Sequence, residues 1–162
     1  MPRNEAKQII IHHTGDKSMA PQFKKVEAWH EYKAFPISSL GFYCGYHFLI
    51  EKNGLVINAR RLEDEGAHTK GHNFESIGIG LAGNFDFEIP TIEQLNALDK
   101  LAAEITLTLK NPNMIVKYHW DFADTHCPGY YFTTGKWYLK LVGIKLGIIE
   151  KFLLWLLNFI RK

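Results

Sequence analysis

Cysteine is scarce in this chain. Two among 162 residues, Cys44 and Cys127, are too few for the disulfide framework that holds small secreted domains together. Charge of one sign is equally lacking: 19 basic residues against 17 acidic leave a net +2, no footprint for a nucleic acid. No low-complexity linker and no internal repeat interrupts the chain, which argues against repeat arrays. The opening Met1-Pro2-Arg3-Asn4-Glu5 has no apolar core of a secretory leader, so synthesis in the cytoplasm is expected. What is present is a hydrophobic fraction of 46% and an aromatic fraction of 14%, enough to build one genuine globular core. Eight histidines make the unusual count.

Read in order, the chain alternates strand and helix signals. Ile9-Ile10-Ile11 is a continuous β-branched run that suits a strand buried on both faces, ended by His12-His13-Thr14-Gly15. A helical pattern from Pro21 to about Phe35 predicts Phe23, Val26 and Trp29 inward, with Tyr32 or Phe35 as further candidates. Runs on either side of Lys52-Asn53-Gly54 predict a hairpin, with Tyr46, Phe48 and Ile50 on one face and His47 and Leu49 on the other. Polar residues 60–73 read as a surface loop. Ile77-Gly78-Ile79-Gly80-Leu81 reads as a buried strand whose glycines permit close backbone approach. Thr91-Ile92-Glu93-Gln94 carries a capping box for a helix to about Leu109, with Leu95, Leu98, Leu101, Ala102 and Ile105 as its stripe. Residues 114–117 predict a short strand that delivers His119. The fold class expected is α/β, a mixed central sheet flanked by helices.

Residues 141–162 differ from the rest. Fourteen of these 22 residues are large and apolar, and Lys145, Lys151, Arg161 and Lys162 stand against Glu150 alone. One reading is a terminal helix packed on the domain or on a second copy. The other is an interfacial amphipathic helix that contacts a membrane surface. The Glu150-Lys151 pair interrupts the run, which argues against a spanning helix.

The chemistry concentrates in Tyr118-His119-Trp120-Asp121-Phe122-Ala123-Asp124-Thr125-His126-Cys127-Pro128-Gly129. Imidazole and thiolate are good zinc donors. One zinc ion held by His12, His119 and Cys127 would have three protein ligands and an open position, the catalytic form of such a site. Strand alternation points His12 and His13 opposite ways, so only one of them can join.

Five ordered pieces carry a resemblance: Ile10-Ile11-His12-His13-Thr14, Gly45-Tyr46-His47-Phe48, Gly66-Ala67-His68-Thr69-Lys70-Gly71-His72-Asn73, Ser76-Ile77-Gly78-Ile79-Gly80-Leu81, and His119 followed after seven residues by Cys127-Pro128-Gly129. Over roughly Gln8 to Lys140 the chain resembles the zinc N-acetylmuramoyl-L-alanine amidases, which include phage endolysins and animal peptidoglycan recognition proteins. That resemblance implies a catalytic domain over 1–140 with residues 141–162 as an added tail. It implies zinc on His12, His119 and Cys127, with Tyr46 as the active-site tyrosine. Thr125 stands where some phage members have lysine, which shifts oxyanion stabilisation to Tyr46, Thr125 and zinc. His68, His72, Asn73 and Arg60 are groove candidates for peptidoglycan. The implied activity is cleavage between N-acetylmuramic acid and L-alanine by a phage or prophage endolysin that acts on the cell wall after release. Alternatives on the same fold are a non-catalytic peptidoglycan-binding or regulatory protein, and a muropeptide-recycling amidase. Binders of that kind lack the zinc cysteine, and recycling enzymes carry aspartate as third ligand, so Cys127 disfavours both.

Overall fold

The computed structural model describes residues 6–133. Five strands form one sheet in the order β3-β2-β4-β1-β5: β1 (Gln8–His13), β2 (Phe48–Ile50), β3 (Val56–Asn58), β4 (Ser76–Leu81) and β5 (Ile115–Tyr118). Strands β1, β2, β4 and β5 run parallel, and β3 turns back antiparallel along β2. The sheet is therefore mixed, as the strand and helix signals predict.

Ile9, Ile10 and Ile11 are all fully buried, because β1 lies between β4 and β5 and is covered on both faces. One face packs under helix α2 (Ile92–Thr108), where Ile9, Ile11, Ile77, Ile79 and Leu81 meet Leu98, Leu101 and Ile105. Each such side chain contributes roughly 1.5–3 kcal/mol on burial. The stripe of α2 is the one the sequence predicts, and its start is fixed by the expected capping box between Thr91 and Gln94, a cap of about 1 kcal/mol.

Helix α1 (Phe23–Tyr32) covers the opposite face with a smaller cluster of Val26, Cys44, Leu49 and Ala59, joined by Phe23, Phe42 and Tyr46. Here two expectations are corrected. Trp29 is 55% exposed and Tyr32 78%; the buried pair on α1 is Val26 and His30, one helical turn apart. Trp29 stacks on Tyr32 outside, with the Lys33 ammonium 4.6 Å from the Trp29 ring centre. Tyr46 packs on the α1 face with Leu49, apart from Phe48 and Ile50. Strand β2 begins only at Phe48, so Tyr46 precedes the pleat and escapes its alternation.

The hairpin closes as predicted, with Gly54 at φ 83° and the Glu51 N–H donating to the Leu55 carbonyl. The predicted tail helix and the boundary at residue 140 lie outside the described residues.

Candidate active site

Parallel strands place their ligands beyond their carboxyl ends, and the histidines gather there. His12 and His13 close β1, while β5 ends at Tyr118 and runs directly into a 3-10 turn, His119–Asp121. Strands β1 and β5 pair in register up to Ile11 opposite Tyr118, so the next residues, His12 and His119, emerge side by side. Their ring centres are 4.5 Å apart. The chain then loops back, and the Trp120 N–H donating to the Cys127 carbonyl closes that loop. Cys127 arrives with its sulfur 3.8 Å from His12 Nδ1.

One donor atom from each of His12, His119 and Cys127 falls within a span of 4.8 Å. Bond lengths of about 2.3 Å to sulfur and 2.0–2.1 Å to nitrogen put the donors of a tetrahedral zinc site about 3.5 Å apart, close to the observed sulfur–nitrogen distance. Two imidazoles and one thiol are also a zinc-type donor set. The residues fit the ion. His13 points to the other side: its Nδ1 accepts from the Phe85 N–H at 3.2 Å, and only its backbone N–H reaches the Cys127 sulfur, at 3.3 Å.

The electrostatics suit a metal centre. Burial, then the neighbouring imidazoles of His119, His13 and His30, holds His12 neutral well below the usual histidine range; desolvation lowers His119 in the same direction. Burial pushes the Cys127 thiol up to about 12, against a smaller lowering by the His13 N–H. Lone pairs on both imidazoles are thus available, and a cation must displace the thiol proton. Burial also raises the Tyr46 phenol far above its ordinary value, helped by Cys127 and Cys44. Tyr46 therefore stays a hydrogen-bond donor. Its ring lies 5.1 Å from that of His12.

A cavity of about 290 Å³ opens over these groups, walled by Tyr46, His68, His30 and Phe35. His30 is not among the expected site residues, and Phe35 is expected only as an inward residue of the helical pattern. They stack at 4.5 Å, and His30 Nδ1 accepts from the Gly45 N–H at 2.9 Å. The spacing of His30 four residues after Val26 was the available signal.

The remaining candidates fall in different places. Thr125 accepts the Cys127 N–H at 3.2 Å and so shapes the ligand turn. His68 touches His12, with His68 Nδ1 3.1 Å from His12 Nε2. Asn73 Oδ1 accepts from the N–H groups of both His68 and Thr69, which braces the loop. His72 pairs with Glu75 at 2.9 Å and lies against Phe122. Arg60 is 2% exposed, and its guanidinium donates to the carbonyls of Cys44, Glu65 and Pro36. That commitment ties three loops together beneath a second cavity of about 420 Å³, which Arg60 and Asn73 help to line.

Comparison with known proteins identifies the family. A family described as N-acetylmuramoyl-L-alanine amidase matches residues 2–130. The endolysin of Enterobacteria phage T3 is 30% identical over 145 residues, covering 86% of this chain and 89% of that protein. Among solved structures, the endolysin amidase LysCS from Clostridium intestinale URNW is 30% identical with a TM-score of 0.71, covering 86% of each chain. Bumblebee PGRP-SA is 27% identical with a TM-score of 0.71, covering 80% of this chain and 79% of that one. The zinc-type trio at the strand ends, the open cavity above it and the family match together make one conclusion: this chain belongs to the N-acetylmuramoyl-L-alanine amidase family.

Proposed function

We propose that the chain is a lytic phage or prophage amidase that hydrolyses the amide between the lactyl group of N-acetylmuramic acid and L-alanine of peptidoglycan, using one zinc ion on His12, His119 and Cys127. The observation that carries this reading is the convergence of those three donors at the floor of an open cavity. Zinc, when bound, supplies an activated water at neutral pH and polarises the scissile carbonyl.

This chain's own residues do the rest. Tyr46, kept protonated by burial, donates its hydroxyl to the oxygen on which negative charge grows, an interaction that strengthens toward the transition state. Thr125 fixes the backbone before Cys127 and offers a hydroxyl near the departing amine. The wall of His30 and Phe35 limits access of bulk water from the α1 side. The second cavity, beside Arg60 and Asn73, extends the groove for more of the peptidoglycan chain, with His72 on the same loop. The protein acts on the cell wall after release from the host cytoplasm. Residues 141–162, apolar with a local excess of basic side chains, bind an anionic membrane surface; deletion of the segment abolishes sedimentation with anionic vesicles on this reading, and unchanged sedimentation removes it.

The test is digestion of purified sacculi by zinc-loaded protein, with mass spectrometry of the products and a Cys127→Ser control. New L-alanine amino termini without new reducing ends, lost in the control, are expected. Tight zinc with no cleavage of sacculi or soluble muropeptides would instead favour a binding protein on this fold.

A further inference from the structure

Of the two imidazole nitrogens of His12, one is spent inside the protein. Nδ1 faces the Cys127 sulfur. Nε2 faces the opposite way, 3.1 Å from His68 Nδ1 and 3.3 Å from Thr69 Oγ1. Thr69 Oγ1 in turn lies 3.0 Å from His68 Nδ1. On its far side, His68 Nε2 is 3.5 Å from Ser76 Oγ, and that hydroxyl donates to the His72 carbonyl at 2.6 Å.

The direction of this chain follows from its end. The His72 carbonyl can only accept, so the Ser76 hydroxyl gives its proton there and turns a lone pair to His68. His68 then carries its proton on Nε2 and has a bare Nδ1. That bare nitrogen faces two donors, the Nε2–H of His12 at 3.1 Å and the Thr69 hydroxyl at 3.0 Å, and it accepts from His12 directly or from Thr69, which then itself accepts from His12. Either arrangement leaves His12 with the proton on Nε2 and an open lone pair on Nδ1.

The fold has made room for this. Gly66 and Gly78 flank the His68 ring, and a Cβ on either would run into it. Neither glycine is among the positive-φ positions, so backbone freedom does not account for them. Space for the ring does. His47 stands behind, its Nδ1 accepting from the Gly78 N–H at 3.0 Å, and Asn73 clamps the backbone of His68 and Thr69.

We propose that His68, seated between Gly66 and Gly78 and backed by Thr69 and Ser76, is a positioning residue that holds His12 in the Nε2–H tautomer with Nδ1 turned to the metal site. This rests on the zinc reading above and gives His68 a role other than holding substrate. Partners of a ligating histidine's remote N–H fix its tautomer and raise its basicity, and their loss typically costs roughly 10–100-fold in metal affinity.

The full-length protein is tested in three forms: parent, His68→Leu and His68→Gln, whose amide oxygen can again accept from His12. Zinc affinity is read by competition with a chromophoric chelator, and imidazole tautomers by long-range proton–nitrogen NMR. The expected result is zinc binding weakened roughly 10–100-fold in His68→Leu and largely restored in His68→Gln. In the parent, with and without zinc, the His12 proton sits on Nε2 and the His68 proton on Nε2. The parent spectrum decides even if His68→Leu fails to fold: a His12 proton on Nδ1 overturns the proposal. So does parental zinc affinity in a folded His68→Leu whose KM alone has risen, the signature of a substrate contact. A parent that binds no zinc and cuts no peptidoglycan is a different outcome, since it removes the proposed function and this inference with it.

Discussion

His30 shows how one residue on the site's wall sets a pH limit. It is buried on α1, and its Nδ1 accepts the Gly45 N–H, so the neutral ring is the one that fits. Burial, with a smaller push from Arg60, lowers its pKa to about 4, against about 6.5 in an unfolded chain. Between those values the unfolded state binds the proton and the folded state refuses it. Stability from this residue is therefore complete above about pH 6.5 and is lost as pH falls toward 4. Urea unfolding of the metal-free protein at about pH 7.5 and pH 5 should show a clear drop in midpoint. His30→Gln, which keeps an acceptor but cannot titrate, should show a smaller drop; an equal drop in both proteins would assign the acid sensitivity to other groups.

Strand β4 makes the same point for an element. The sequence identified it as a buried strand with glycines for close approach, but the approaching groups are rings rather than backbone. Gly78 and Gly80 sit two apart, hence on one face, opposite Ile10 and His12 of β1. His68 fills the space over Gly78 and Tyr46 that over Gly80. A Cβ on Gly80 would stand 2.6 Å from Tyr46 Cδ2, so Gly80→Ala should push the phenol off its line to the substrate. We expect turnover to fall by up to about a hundredfold, as for small misplacements of catalytic groups, while zinc affinity holds within about twofold; parental turnover in the variant would show that Tyr46 needs no such seat.

Elements of this kind were legible wherever the cause is local. The capping box of α2 and the turn at Gly54 depend on neighbours in sequence, and both appear where expected. The start of α1 does not. Its first N–H groups, from Gln22 and Phe23, are accepted at 2.8–2.9 Å by the buried carboxylate of Glu51, nearly thirty residues away where β2 enters the hairpin turn. No window of sequence contains that cap. The loop at 60–73 read as solvated because it is polar, yet Arg60, Gly66 and Thr69 are buried in it. Its polar groups satisfy one another, neighbouring loop carbonyls and the central strands β1 and β4, which composition cannot reveal.

For the whole molecule, the site is a consequence of topology. His12 and His119 are 107 positions apart and become neighbours because β5 pairs with β1 alone, at the end of the sheet. Strand β5 is only partly buried, whereas every residue of β4 is buried. A metal on His12, His119 and Cys127 would therefore join the tip of β1, a central strand whose Ile9, Ile10 and Ile11 are fully buried, to that of a partly buried edge strand. An ion that binds only the folded state stabilises by about 2.7 kcal/mol at a hundred times its Kd and about 4.1 kcal/mol at a thousand times. In a chain of this length that corresponds to roughly 5–15 °C in melting temperature. Chelation should lower the melting temperature by such an amount, and Cys127→Ser should show almost no response to added zinc. The fold also predicts where the loss is felt. Amide exchange should rise most across 115–129, where the edge strand and the ligand turn depend on the ion, and little in β4. Uniform acceleration over the sheet would mean that the ion stabilises the molecule without acting as a clasp between β1 and β5.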